Sequence, residues 1–444
     1  MEVKVGCSEN VIEVPLLAEL NGYGPYLGRR NLGVRDPLYA RALTVYDGQS
    51  RNVIIVTDTV TMDELECRQL RAEMATEFIL DPEGIMFIGT HTHSAPCIRP
   101  PAAVGYGDRD EQYVANWRAA IRKSVREALA NEEPVRAFAG KAPIHQQIAE
   151  RRTTSADKSI DPDIRWVKMV RPDGSVKVLL HNYSMHGVVF GSTLFVSADW
   201  MGDANRKIKE RKLADLAFFM YGTAGDLNAV WSQPSREREV REKELDWITD
   251  SYVDDLESGL ANGEEIQLTP ISCRLKATLL PTEDVNPVEY REMAEKIIAK
   301  VPDRNARPAN QVESLLFYIH ARLVEMAVLA ERGHDFRVIR DLQALRMGDL
   351  AVYAVPGEPF LSMGEELRRR SPFKFPIAVS VANGSGGYFP TPEMFEQYPS
   401  MFACDDFGAF GFFEVWAGFF MLRARYKSNI TPYIIDNLLN LQLG

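Results

Sequence analysis

Short apolar runs recur along this chain, and polar, glycine-containing segments follow several of them. Ala42-Leu43-Thr44-Val45-Tyr46 and Val53-Ile54-Ile55-Val56 read as two strands joined by a turn at Asp47-Gly48. Ile85-Met86-Phe87-Ile88 reads as a buried strand. The alternation over 164–170 turns at Pro172-Asp173-Gly174 and returns over 176–180 as a hairpin. Further strands are predicted over 217–221, 338–345, 350–355 and 377–381. Helical spacing covers roughly 111–130, where Tyr113, Trp117, Ile121 and Val125 share one face. A helix over 61–80 opens with a capping-box pattern, Thr61 to Glu64. Others are predicted over 201–213, 287–300, 308–332, 360–370, 412–425 and 431–441, and the charged stretch from Ser235 to about Leu260 reads as a helix with a solvated face. Residues 1–40 carry the turn pairs Asn21-Gly22, Gly24-Pro25 and Asp36-Pro37 and read as an irregular lead-in, a length that makes sense if it lines something. Hairpins and helical crossovers together predict a mixed α/β (α+β) architecture, mixed sheets flanked by helices. No repeat, low-complexity tract or linker divides the chain, which predicts one domain over 1–444.

Composition narrows the function classes. The 444 residues are 45% hydrophobic and 25% charged, ordinary for a globular protein with a large core. A net charge of -11 argues against nucleic acid or an anionic membrane surface as partner. Cys7, Cys67, Cys97, Cys273 and Cys404 are odd in number, scattered and free of CxxC pairs, so neither a disulfide framework nor a cysteine zinc site is expected. The N-terminus lacks a signal-peptide pattern, and no apolar run approaches the ~18–20 residues of a membrane span. A cytoplasmic, reduced, soluble protein, without nucleic acid or membrane span, is the expectation.

Candidate chemistry gathers just beyond the strands. The strand at 85–90 leads into Thr90-His91-Thr92-His93-Ser94-Ala95-Pro96; continued strand alternation would send His91 and His93 to the same side, and a neutral imidazole is the commonest zinc ligand. Two ligands do not make a site, and a packed pair beside a loop fits the spacing equally well. The strand at 176–180 precedes His181-Asn182-Tyr183-Ser184-Met185-His186-Gly187, and that at 217–221 precedes Gly225-Asp226-Leu227-Asn228. Leu350 to Val355 precedes Pro356-Gly357-Glu358, and Ile377 to Val381 precedes Asn383-Gly384-Ser385-Gly386-Gly387-Tyr388. Taken singly, the glutamate is a turn residue, the glycine run a loop and each histidine a structural one. Two histidines, a carboxylate and an open position together form a common hydrolytic zinc set.

Taken in order, Thr90-His91-Thr92-His93-Ser94-Ala95-Pro96 is similar to THTHSGP, and Met185-His186 is followed by Ser197-Ala198-Asp199. Gly225-Asp226 is similar to the start of GDVSPN, and Pro356-Gly357-Glu358 and Gly387-Tyr388 with Thr391 follow. From about Leu32 to Tyr388 the chain therefore resembles the neutral (non-lysosomal) ceramidase family, in its N-terminal catalytic domain. The resemblance implies one zinc held by His91, His186, Glu358 and Tyr388, with His93 beside the metal serving water or substrate. It also implies that Arg151 contacts a polar group of the substrate. His181 competes with His186 for the ligand role; the distance from His186 to Asp199 fits the family better.

Two departures bear on activity. The family serine of GDVSPN is Asn228 here, an amide that cannot act as a serine-type nucleophile but can donate to an oxyanion. The chain also ends without room for the family's C-terminal β-sandwich, which makes ceramide a poor expectation as substrate. The reading is a zinc hydrolase cleaving an amide (N-acyl) bond in a small soluble molecule by zinc-activated water. The alternatives are a non-catalytic metal- or ligand-binding relative and an ester or lactone hydrolase.

Overall fold

The computed structural model describes residues 2–24, 28–100, 106–152, 158–231, 237–304, 311–403 and 409–443. Pro25 of one expected turn, residues 235–236 and 308–310 at two expected helix starts, and Cys404 lie outside them.

Three sheets share one construction: a mostly antiparallel ladder with a parallel pair at one edge. The first runs Ile85–Gly89, Arg51–Thr57, Leu38–Tyr46, Lys4–Ile12 and Glu133–Pro134, parallel only where Val53 meets Ile85. The second runs Leu216–Tyr221, Val176–Tyr183, Asp163–Val170, Arg136–Pro143 and Glu264–Ile266, parallel only where Leu216 meets Val178. The third runs Ile271–Leu280, Val338–Met347, Leu350–Ala354 and Phe375–Val379, its last pair parallel. Partners in a parallel pair run the same way, so the segments leaving their C-terminal ends emerge at one edge. Five such strands deliver the polar motifs singled out above.

One face of each sheet contributes to a shared core that includes Leu43, Ile54, Ile88, Val167, Leu180, Phe218, Leu345, Val352 and Val379. Helices cover the outer faces. Glu111–Ala130 buries Tyr113, Trp117, Ile121 and Val125, the four positions its spacing indicates; each such side chain contributes about 1.5–3 kcal/mol on leaving water. At the site end the sheets are stitched together, Gly89 N–H donating to Val381 O at 3.1 Å and Ser380 N–H to Tyr221 O at 2.9 Å.

Three expectations are corrected. The lead-in is not irregular throughout, because Lys4–Ile12 is a full strand paired with Leu38–Tyr46. Its pattern hides it: Ser8 and Asn10 face a helix through hydrogen bonds to Glu127 and Ser124, and Gly6 admits that helix so closely that a Cβ would fall 1.8 Å from Ala128 O. The helix expected from Thr61 is Glu64–Phe78, capped by Asp63, whose carboxylate accepts from Glu66 N–H at 2.8 Å. The strand expected to carry His91 and His93 ends at Gly89, and His91 takes a left-handed φ of 68°. The two rings therefore meet through a turn, not through strand alternation.

Candidate metal centre

His91 is fixed from both ends of its peptide unit and ring. Its N–H donates to Thr59 O at 2.9 Å, and its Nδ1–H donates to Val60 O at 2.5 Å. Tyr221 stacks on the ring, centroids 4.8 Å apart. His186 is held likewise, with Nδ1 2.8 Å from Ala224 O and 2.9 Å from Leu227 O. A carbonyl can only accept, so Nδ1 carries the proton in both rings and each Nε2 is an acceptor, that of His186 facing an Arg152 N–H at 3.1 Å.

Those lone pairs converge. Glu358 Oε2 lies 3.2 Å from His91 Nε2 and 3.3 Å from His186 Nε2, and His93 Nε2 lies 3.1 Å from His91 Nε2. The ligand atoms of the three histidines all fall within 4.8 Å of one another, and all three rings are buried. Acceptors are thus packed against acceptors, and buried Glu358 Oε2 has no hydrogen-bond donor. Separations of 3.1–3.3 Å are near those of ligand atoms sharing one tetrahedral ion with bonds of about 2.0–2.1 Å. The donor set, imidazole nitrogen plus carboxylate, suits zinc. His93 differs from its neighbours: its Nδ1 is buried without a partner, so neither tautomer is enforced. Gly22, at φ 118°, backs that ring so tightly that a Cβ would sit 2.6 Å from it.

Electrostatics follow the packing. Burial, then the charge of Arg152, pushes His186 down to about 4. Burial, with the neighbouring imidazoles, holds His93 well below the usual histidine range. Tyr388 pairs with Glu358 in a short parallel bridge, and burial raises its hydroxyl well above the ordinary value.

The remaining expected residues line the same cavity of about 660 Å³. Asn228 and Arg151 lie on two short antiparallel strands, Leu227–Ala229 and Ala149–Arg151. Arg151 forms an ion pair with Asp226, whose other oxygen accepts from Leu361 N–H at 2.8 Å. His181 is not at the site: Tyr252 OH at 2.9 Å and Asn205 Oδ1 at 2.8 Å occupy its two nitrogens in the core. Arg35 is held in ion pairs with Asp36, Asp203 and Glu242.

No family model and no curated protein matches the chain. Solved structures do. The crystal structure of neutral ceramidase from Pseudomonas aeruginosa superposes with a TM-score of 0.74 at 17% identity, covering 99% of this chain and 74% of that one. A ceramidase complexed with C2 gives a TM-score of 0.72 at 16% identity, with the same coverage. The chain has the neutral ceramidase fold.

On that ceramidase-like frame the structure adds residues that the sequence reading missed. Arg152, not its neighbour, reaches the cluster: Nη1 lies 3.1 Å from His186 Nε2 and Nη2 3.4 Å from Tyr388 OH. Fully buried Glu414 forms an ion pair with it. Burial would lower Arg152, but the charges of Glu414 and Glu358 oppose it and keep the guanidinium charged. A lone glutamate inside the apolar run Phe412-Phe413-Glu414-Val415-Trp416 was the available signal for a buried partner. No helix among the described residues is long and apolar enough to cross a membrane.

Proposed function

We propose that this chain is a zinc-dependent hydrolase cleaving an amide (N-acyl) bond in a small, soluble molecule, as one catalytic domain in the cytoplasm. The observation that carries this reading is the convergence of His91, His93 and His186 nitrogens on an orphaned Glu358 oxygen inside a cavity. The likeness to ceramidase structures supports the bond class, the cavity volume falls in the range of small-molecule sites, and four buried, unbonded cysteines agree with a reducing compartment.

In this reading His91, His186, Glu358 and Tyr388 hold the zinc. When bound, zinc supplies a Lewis acid for a carbonyl oxygen and lowers the pKa of a water from 15.7 toward ~7. His93, neutral and free at Nδ1, moves a proton between the water and the leaving amine. Asn228 donates its amide N–H to the developing oxyanion, and water is the nucleophile because an amide side chain cannot be one. Arg151, steadied by Asp226, contacts a polar group of the substrate from the cavity wall.

Metal analysis coupled to a screen of N-acylated amines, amino acids and amino sugars tests this. About one zinc per chain is expected, with turnover lost on chelation and restored by zinc. Metal-free protein after growth in zinc would overturn the centre. Full zinc with no release from any N-acyl compound would favour the non-catalytic reading that Asn228 supports, and release from esters or lactones alone would move the bond class.

His93 can be tested apart from the metal. Gly22→Ala drives a methyl into its ring while leaving the Nδ1 anchors of His91 and His186 intact. Zinc content should stay near wild type while kcat falls by about 10²-fold, the cost of displacing a reacting group by an ångström. An unchanged kcat would remove His93 from proton transfer.

A further inference from the structure

We propose that Arg99 and Ser385 form an anion subsite beside the histidine–glutamate cluster, and that the substrate is an N-acyl compound bearing a carboxylate. This deepens the hydrolase reading above and rests on it.

Both residues lie on segments that build the centre. Arg99 follows His93 by six positions, and Ser385 precedes Tyr388 by three. Both line the main cavity and also an adjoining cleft of about 300 Å³. Arg99 Nη1 lies 3.4 Å from Ser385 Oγ, and Arg99 Nε is buried without a hydrogen-bond partner. No carboxylate among the described residues comes within ion-pair distance of it.

That sets Arg99 apart from every other arginine in the two spaces. Arg151 is neutralised by Asp226 and Arg152 by Glu414. In the cleft, Arg68 pairs with Asp341 and Arg340 with Glu64. In a chain with 62 acidic residues against 51 basic ones, Arg99 is the cavity arginine that has no acid beside it among the described residues. A partly buried guanidinium gains most from a charged acceptor, and its fork matches a carboxylate. Tyr106, on the same cavity, feels the charges of both Arg99 and Glu358, so the subsite lies within electrostatic reach of the centre. Leu315, Phe413 and Met421 give the cavity apolar wall for an acyl chain.

A matched pair tests this: N-octanoylglycine, which is anionic, and N-octanoylethanolamine, which is neutral. The zinc-loaded wild type should prefer the anion. Arg99→Met should raise KM for N-octanoylglycine by about 10- to 100-fold more than for the neutral amide, the scale of one charged hydrogen-bonded contact. Arg99→Lys should recover part of the difference. Calorimetric titration of both compounds reads the same contrast as affinity, so it reports on the subsite even where neither amide is cleaved. No turnover with anion-selective binding that Arg99→Met removes would support the subsite while counting against the hydrolase reading. Equal affinity for the two compounds, no binding of either, or equal losses in Arg99→Met would overturn it.

Discussion

Glu358→Gln is expected to abolish metal binding while leaving the metal-free protein at least as stable as metal-free wild type. The two effects have one cause. In the wild type, Glu358 Oε2 faces two nitrogens that present lone pairs, at 3.2 and 3.3 Å, and no donor relieves it. A cation resolves the conflict. An amide resolves it as well, because its N–H₂ donates to His91 Nε2 or His186 Nε2 at nearly the same positions. Glutamine therefore supplies internally what the metal supplies from outside, and it removes the one carboxylate that the described part of the cluster holds. Loss of a ligand should weaken zinc binding by more than the roughly 10- to 100-fold that follows from losing a hydrogen-bond partner of a ligand. Zinc content after dialysis and the thermal midpoint of the metal-free proteins read the two halves separately. Stoichiometric zinc in Glu358→Gln would mean that the histidines alone bind it. A large fall in metal-free stability would mean that Glu358 pairs with a proton on an imidazole and not with an absent cation.

How much of this was legible in the sequence depends on what each residue's neighbours look like. The strands ending at Gly89, Tyr183, Ala354 and Val379 are continuous apolar runs, so the polar residues after them stood out. Parallel pairing then did what strand patterns imply and brought those ends to one edge. Lys4–Ile12 was illegible because it packs on its helix through hydrogen bonds and a glycine, which leave no hydrophobic period. Arg151 and Arg152 could not be told apart, since a three-residue strand carries no pattern and the choice is made by which face meets Asp226 and which meets His186. The near-equivalence of His181 and His186 was also tertiary: one ring is saturated by Tyr252 and Asn205, the other turns Nε2 toward Glu358 and Arg152.

Glu414 is where stability and the metal centre meet, and Glu414→Gln is expected to cost about 3–5 kcal/mol, the penalty for stranding a buried partner. Arg152 is buried against His186 and Tyr388, and Glu414 is the carboxylate that pairs with it. Glutamine preserves an oxygen for the N–H of Gly411, which Glu414 also accepts, so the helix start at Phe412 is kept and the loss reports on charge. A guanidinium left uncompensated beside the cluster should also repel a divalent cation, so zinc affinity falls together with the denaturation midpoint. Removing both charges should reverse part of the stability loss: Arg152→Met with Glu414→Gln strands neither member of that ion pair, and the double variant should be more stable than Glu414→Gln alone. A loss below about 1 kcal/mol in the single variant, in the range of an exposed pair, would show that Arg152 turns out to solvent and that its place between His186 and Tyr388 is not held by Glu414.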